Sequence, residues 1–275
     1  MHDNTSMTNR TDHDTQNLSN HDGHVHVNEG KNAPPSDVRR EQRPATTVKH
    51  RPVRKNWKRN FMRSGAVVDF LCRPFMTIEF DRNDGLPDGP ALLAANHRSI
   101  ADVFVAWICC YRLGRPTRFI VGRQFFKRPG MGQVLRMIGC IEGGRKSGAD
   151  LIAIEAIEGG MTCAIMPEGA IKTMEPGKIL APLMPGVAEI WRKADCPLVV
   201  VGITGAGKVW GDGKYLPRMS LRPSRRPIVH VRLGDATTIG ESGASLERVA
   251  DLMEANCHRS AEAHALATKN ASELA

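Results

Sequence analysis

A histidine and an aspartate stand close together in the segment 96–102, which reads Asn-His-Arg-Ser-Ile-Ala-Asp. An apolar run at 91–95 precedes this segment, and a second one at 103–107 follows it. A neutral imidazole near pH 7 is the commonest general base in enzymes, and a nearby carboxylate can fix its tautomer and orientation. Reactive groups often lie on loops that rigid elements position. The pattern therefore predicts a proton-accepting His97 that Asp102 orients.

The spacing of these two residues also allows a purely structural interpretation. Ser99 suits the N-cap of a helix, and Asp102 then lies in the first turn, where a negative charge is favourable. His97 is in that case an ordinary loop histidine. Because side chains five residues apart on one helix point away from each other, catalysis requires His97 to precede the helix and to fold back toward Asp102.

Two further polar segments come after predicted secondary structure. Pro167, Glu168 and Gly169 directly follow an apolar strand predicted at 162–166. Ligand sites in parallel α/β sheets gather at the carboxyl ends of strands, so we expect this turn and the 96–102 segment to face one crevice.

The second of these segments, 139–146, is rich in glycine and ends in Arg145 and Lys146. Guanidinium groups and backbone N–H groups are suited to phosphate, so the segment predicts a phosphate-binding loop. A solvated basic loop is the alternative.

The first 47 residues differ in composition from the rest of the 275-residue chain. They are polar and nearly free of large apolar side chains, so they cannot bury enough surface to fold. We predict a disordered polar tail at 1–47, and a metal site formed by His21, His24 and His26 is the alternative. The chain as a whole is 41% hydrophobic, which supports a core outside the tail.

Basic residues are concentrated just after the tail, where they account for much of the net charge of +9. We predict a basic amphipathic helix in the segment 48–74, with Trp57, Phe61, Met62, Ala66 and Phe70 on one apolar stripe. Such a helix suits a membrane surface, and packing of the same stripe on the core is the alternative.

Several features indicate the compartment. The seven cysteines are scattered without a C-x-x-C pair, as expected in reducing surroundings. No apolar run has the length of a membrane span, and the N-terminus lacks the apolar core of a secretory signal. We expect a cytoplasmic protein held peripherally on the inner face of the membrane.

Strands and helices alternate from residue 75 onward, which predicts an α/β fold at 75–275. This single domain contains a mostly parallel mixed sheet flanked by helices, preceded by the tail and the basic amphipathic helix. The segment 205–227 is rich in Gly, Pro and Arg and is predicted to be a loop or an irregular hairpin. Helices are predicted near 57–74, 99–111, 131–138, 147–160, 187–191 and 246–266, and strands near 75–80, 91–95, 117–121, 162–166, 198–203 and 228–233.

The order of these motifs resembles the four sequence blocks of the glycerolipid acyltransferase family, which includes the 1-acylglycerol-3-phosphate acyltransferases. The resemblance extends from about residue 75 to 233. The first block is the segment from Asn96 to Asp102. The other three blocks match at Gly139 and Arg145, at Pro167 to Gly169, and at Pro197.

This resemblance implies an enzyme whose catalytic residues are His97 and Asp102. His97 takes the proton of an acceptor hydroxyl, which attacks the thioester of acyl-CoA or acyl carrier protein. Arg145 holds the phosphate of a lysophospholipid, most naturally 1-acylglycerol-3-phosphate, and Glu168 and Gly169 shape the acceptor site. The implied partners are this acceptor, the acyl donor and a membrane surface, with no metal and no other cofactor. Nucleic acid is not expected, since only 5% of the residues are aromatic.

The chain departs from the family pattern on the acceptor side. The family usually has Thr-Arg after Glu-Gly, where this chain has Ala170 and Ile171, and a family lysine is replaced by Met184. Lys172 is a candidate substitute, although a flexible point charge does not replace a planar guanidinium group. An acyltransferase with a non-phosphate acceptor, such as a lyso-aminolipid or a glycolipid, is therefore an alternative.

Two functions of other classes also remain. One is a non-catalytic protein that binds lipid or nucleic acid through its basic segment. The other is a hydrolase, although the chain has no Gly-x-Ser-x-Gly nucleophile motif.

Overall fold

The computed structural model describes residues 53–82, 86–144, 147–172, 177–211, 216–220, 222–240 and 243–273. The predicted tail at 1–47, the start of the basic segment at 48–52, and Arg145 with Lys146 lie outside the described residues.

Eight α-helices and seven β-strands form the described part of the chain. The helices are α1 (Trp57–Cys72), α2 (Ile100–Arg112), α3 (Arg123–Phe126), α4 (Met131–Met137), α5 (Ala149–Glu158), α6 (Gly186–Ala194), α7 (Ala206–Val209) and α8 (Leu246–Glu273). The strands are β1 (Thr77–Arg82), β2 (Leu92–Ala95), β3 (Thr117–Gly122), β4 (Ile141–Gly143), β5 (Thr162–Ile165), β6 (Leu198–Thr204) and β7 (Ile228–Leu233).

The strands form one sheet in the order β1-β7-β6-β2-β5-β3-β4. Only the β6–β7 pair is antiparallel among the described strands, so the sheet is mostly parallel and mixed, which confirms the predicted fold class. β2, β3, β5 and β6 all end at the same edge of the sheet. Because β7 runs against β6 and β1 runs with β7, these two strands begin at that edge. We call it the carboxyl edge.

Alternation of side chains along the strands divides the core into two layers. Leu93 in β2 and Val199 in β6 face the layer that contains the buried residues of α1 and α2. Leu92 and Val200 face the opposite layer, against α5, α6 and α8. Because both faces are covered, the central strands are apolar along their whole length, as is usual for parallel sheets.

Helix α1 forms where a basic amphipathic helix was predicted, but its buried face is different. Trp57 and Phe61 are 4% and 0% exposed, whereas Phe70 is 66% exposed. The reason is the contact with α2, since Gly65 lies directly against Tyr111. This contact turns the ridge formed by residues 57, 61, 65 and 69 toward the core and leaves Phe70 outside.

The sequence predicted a loop over the whole glycine-rich segment 139–146. The structure instead contains a short strand within it. Ile141 is 2% exposed and pairs in parallel register with Ile120, so residues 141–143 form the edge strand β4.

Candidate active site

Asn96 determines where the histidine leaves the sheet. Its side-chain amide donates to the carbonyl of Ile203 at 2.9 Å and accepts from the Ile203 N–H at 2.7 Å. Asn96 is 3% exposed. The amide thus continues the pairing of β2 with β6 by one residue, and His97 emerges at the carboxyl edge.

A capping box then starts α2. The hydroxyl of Ser99 accepts from the N–H of Ala101 at 3.1 Å, and Asp102 Oδ2 accepts from the N–H groups of Ser99 and Arg98 at 2.7 and 2.5 Å. The same hydroxyl donates to the carbonyl of Trp210 at 2.6 Å, which ties this turn to the end of α7. The structural interpretation of Asp102 is therefore correct.

Asp102 is also the carboxylate beside His97. His97 precedes α2 and folds back, so that its Nδ1 lies 3.5 Å from Asp102 Oδ2. Asp102 is fully buried, and the side chain of His97 is 16% exposed. Buried His97 Nδ1 and Asp102 Oδ1 both lack a hydrogen-bond partner among the described residues. Asp102 therefore caps α2 and also lies beside His97. The distance between the two side chains can shorten to that of a hydrogen bond when a substrate binds.

Glu168 connects the second predicted motif to the histidine. Its Oε1 accepts from the backbone N–H of His97 at 2.7 Å, and its Oε2 accepts from the N–H of Ala181 at 3.0 Å. The residue is 1% exposed. The two strand ends therefore meet at one crevice, as expected from the order of the motifs. The carboxylate of Glu168 holds the backbone of His97 and Ala181 in place, so it shapes the site through the backbone.

Gly169 completes the turn with a φ of +74°, a conformation that favours glycine. A Cβ at this position would lie 2.4 Å from the sulfur of Met184. Met184 itself is tied to the same turn, since its N–H donates to the carbonyl of Pro167 at 2.7 Å. The chain after β5 therefore folds closely over Gly169.

An apolar cavity of about 230 Å³ adjoins His97. It extends between α2, β3 and the turn after β5, and Gly169, Ala170 and Ile171 form part of its wall. Further lining side chains come from the sheet and α2, among them Leu93, Val103, Ala106, Phe119 and Val201. The arrangement places a potential base in the wall of a space suited to a hydrocarbon chain.

Of the remaining predicted binding residues, Lys172 does not line this cavity. Lys172 is exposed, and its Nζ lies 3.5 Å from the carbonyl of Pro182. Arg145 falls outside the described residues.

Four of the seven cysteines are poor candidates for an alternative nucleophile. Burial raises the pKa of Cys140, Cys163 and Cys257 to about 12 and that of Cys110 to about 11. Thiols with such pKa values carry almost no thiolate near neutral pH. Within the described ranges, no group of three or more His, Cys, Asp or Glu side chains is arranged to hold a metal ion.

Two roles escaped prediction from the sequence. Asn96 stood in the motif without a function, although a polar residue ending an apolar strand signals an amide that pairs with backbone. The backbone contacts of Glu168 carried no signal in the sequence, since they join residues 71 and 13 positions apart.

Comparison with known proteins bears on the family and the fold. Residues 77–204 match the family model named Acyltransferase. No curated protein is significantly similar to the chain in sequence.

A similar solved structure is the 1-acyl-sn-glycerophosphate acyltransferase PlsC of Thermotoga maritima. It is 18% identical, with a TM-score of 0.57, and the match covers 74% of this chain and 79% of the other. The structural likeness at this identity concerns the fold. Residues 77–204 thus match an acyltransferase-family domain, in a chain whose fold is PlsC-like.

Proposed function

We propose that this acyltransferase moves a fatty acyl group from acyl-CoA or acyl carrier protein to a hydroxyl group of a lysophospholipid. The favoured acceptor is 1-acylglycerol-3-phosphate, and the product is a diacylated phospholipid precursor. The observation that carries the proposal is the position of His97, which lies beside buried Asp102 and lines an apolar cavity.

His97 acts as the general base. It removes the proton of the acceptor hydroxyl while the oxygen attacks the thioester carbonyl, and Asp102 stabilises the resulting imidazolium. The tetrahedral intermediate collapses, the carbon–sulfur bond breaks, and the imidazolium returns the proton to the leaving thiolate. The new ester and a free thiol are the products. Neither a metal nor a redox cofactor takes part in this sequence.

The cavity accommodates the fatty acyl chain. Its wall is built mainly from aliphatic and aromatic side chains of α2 and β3, and burial of each methylene group there contributes about 0.8 kcal/mol. The Glu168–Gly169 turn lies beside the cavity and shapes the acceptor site. Arg145 and Lys172 are the proposed contacts to the acceptor phosphate.

Helix α1 attaches the enzyme to the inner face of the membrane, where its lipid substrates are found. No helix among the described residues is both long and apolar enough to cross a bilayer. The outer face of α1 carries Val67, Phe70 and Leu71, which are 57%, 66% and 58% exposed, together with exposed Arg59 and Arg63. Apolar and basic side chains on one face suit a helix that lies in the headgroup region.

Turnover by the purified protein tests the proposal. Mixed acyl-CoAs, acyl carrier protein substrates and a panel of lyso-lipids are supplied, and acylated products are identified by mass. We expect acylated lysophosphatidate from the wild type, and a loss of about a hundredfold or more in the His97→Ala variant. His258→Ala removes an exposed histidine of α8 and is the matched control. Free fatty acid without an acylated acceptor contradicts the proposal and indicates a hydrolase.

A second acceptor class is favoured by the wall of the cavity. Ile171 lines it and Met184 lies against Gly169, at positions where the resembling family usually carries Arg and Lys. Ala170, which stands in place of a family Thr, also lines it. A phosphate placed against this wall loses hydration without gaining a counter-charge. The alternative acceptor is therefore a lipid hydroxyl without a phosphate beside it, as in a lyso-aminolipid.

The acceptor panel separates the two classes. Acylation of a non-phosphate acceptor with no turnover of lysophosphatidate favours the second. In that case Ile171→Arg should increase turnover of lysophosphatidate, whereas Ile171→Leu, which adds no charge, should leave it unchanged.

A further inference from the structure

Exposed apolar side chains are concentrated at the carboxyl edge. β1 and β7 begin at this edge, so the residues that precede them, the end of α1 and the segment 216–226, lie on the same side of the sheet as His97. In that segment Leu216 and Met219 are 79% and 60% exposed, although both are large apolar side chains. Ile100 at the start of α2 and Met184 after β5 are also exposed at this edge, at 46% and 52%.

The segment 216–226 also carries a cluster of arginines. Arg218, Arg222 and Arg225 are exposed, and the sequence from 216 to 226 contains no Asp or Glu. Arginine and apolar side chains thus alternate on one short surface segment. Its charge is complementary to an anionic surface, and its apolar side chains suit a partner that also offers a hydrocarbon layer.

Hydrogen bonds fix this segment between α1 and the active site. The Ser220 N–H donates to the carbonyl of Pro74, just after α1, at 2.9 Å. The Arg218 N–H donates to the carbonyl of Val209 in α7 at 2.8 Å, next to Trp210, whose carbonyl accepts from Ser99. The segment therefore lies between the end of α1 and the turn that holds His97.

We propose that residues 216–220 and 222–226 form a second membrane-docking element, which binds the anionic headgroups of the bilayer beside the active-site entrance. The inference rests on the proposed function, because that function places the acceptor in a bilayer. It adds that docking involves both α1 and this segment, so that the carboxyl edge faces the lipid. An acidic carrier protein is the competing occupant of such a basic surface. The membrane is favoured because the exposed apolar residues continue onto α1.

Vesicle cosedimentation without any substrate tests the docking element independently of catalysis. Vesicles of phosphatidylcholine alone are compared with vesicles that also contain phosphatidylglycerol. For the variant R218Q/R222Q/R225Q we expect affinity for the anionic vesicles to fall on the order of a hundredfold, because each arginine near an anionic surface contributes roughly fivefold. Affinity for the neutral vesicles should not change.

The control variant R192Q/K193Q/R259Q removes the same charge elsewhere. Arg192 and Lys193 lie at the end of α6, just before β6 begins and hence at the opposite edge of the sheet. We expect this variant to bind anionic vesicles nearly as the wild type does. Equal loss in the two variants overturns the proposal, since it indicates a dependence on net charge alone.

The apolar residues are tested by Leu216→Ser together with Met219→Ser. This variant should bind both kinds of vesicle more weakly, since insertion of apolar side chains does not depend on lipid charge. The proposal is overturned if the arginine variant R218Q/R222Q/R225Q and the Leu216→Ser/Met219→Ser variant both bind vesicles as the wild type does. The proposal is also overturned if the arginine variant binds vesicles as the wild type does, loses turnover with acyl carrier protein as the donor, and keeps turnover with acyl-CoA. That result assigns the arginines to binding of the carrier protein. A protein that binds vesicles through this segment but acylates no lipid contradicts the proposed function alone.

Discussion

The carboxylate of Glu168 accepts a hydrogen bond from the backbone N–H of His97 at 2.7 Å. The second oxygen of Glu168 accepts from the N–H of Ala181, so one buried carboxylate joins the loop of His97 to the chain that follows the turn after β5. Glu168 thus holds the backbone of His97, while Asp102 Oδ2 lies 3.5 Å from the imidazole Nδ1 on its other side. This relationship makes Glu168 a positioning residue.

Substitution of Glu168 by Gln should lower kcat by about ten- to a hundredfold, because one charge-assisted hydrogen bond is replaced by a repulsive contact between two N–H groups. The KM for the acceptor should change little, since Glu168 is buried and does not line the cavity. Steady-state kinetics with both substrates provides the measurement. A raised acceptor KM with an unchanged kcat would instead assign Glu168 to substrate binding. Glu158→Gln, an exposed change at the end of α5, is the control.

Substitutions of Asp102 separate its two roles. Asp102→Asn retains an oxygen that can accept from Ser99, so we expect thermal stability near that of the wild type and a loss of activity of about a hundredfold or more. Asp102→Ala also removes the cap and leaves two N–H groups without a partner, so it should additionally destabilise the protein by about 1–2 kcal/mol. Calorimetry and turnover of the two variants are compared. Wild-type activity of the folded Asn variant would remove Asp102 from catalysis.

Asn96 should contribute to stability. In the Asn96→Ala variant the buried N–H and carbonyl of Ile203 both lose their partner, at a cost of about 1–3 kcal/mol each. We therefore expect the free energy of unfolding, measured in urea, to fall by about 2–5 kcal/mol. Asn270→Ala, on the exposed surface of α8, should change it by less than about 0.5 kcal/mol. Equal stability of the two variants would contradict the proposed backbone pairing.

Periodicity and turn residues predicted most of the fold. The apolar runs of β2, β5 and β6 and the all-round apolar α2 are strong local signals, and their spacing predicted an α/β sheet. The strand β4 was missed because three residues beside glycines carry little pattern, and only pairing with β3 makes them a strand. The predicted buried face of α1 was wrong for a similar reason. The Gly65–Tyr111 contact determines which face is buried, and it joins two segments that are distant in the sequence.

The candidate site was predicted to a comparable extent. The meeting of His97 with the Glu168 turn followed from the position of both motifs at strand ends. The atoms that each side chain contacts did not follow from the sequence, because backbone partners such as Ile203 and Ala181 have no side-chain signature. The roles of Arg145 and Lys172 remain predictions.

His264 on α8 should make stability depend on pH. It is 8% exposed, and neither ring nitrogen has a partner in the described part of the chain. Burial, and then the positive charge of Lys208, lower the pKa of His264 below its ordinary value of 6.5. Below about pH 6.5 the unfolded chain therefore binds more protons at this residue than the folded protein does. Stability contributed by the neutral ring is present above that pH and is lost as the pH falls toward the lowered folded-state pKa.

The variant His264→Leu should flatten this dependence without loss of stability at neutral pH, because an unpaired buried imidazole is replaced by an apolar side chain of similar volume. Urea unfolding between about pH 5 and 7.5 measures the slope. A smaller slope should remain, since burial also lowers the pKa of His230. His258→Leu, on the exposed face of the same helix, should retain the wild-type slope. An unchanged slope in His264→Leu would show that this ring is not the group that titrates.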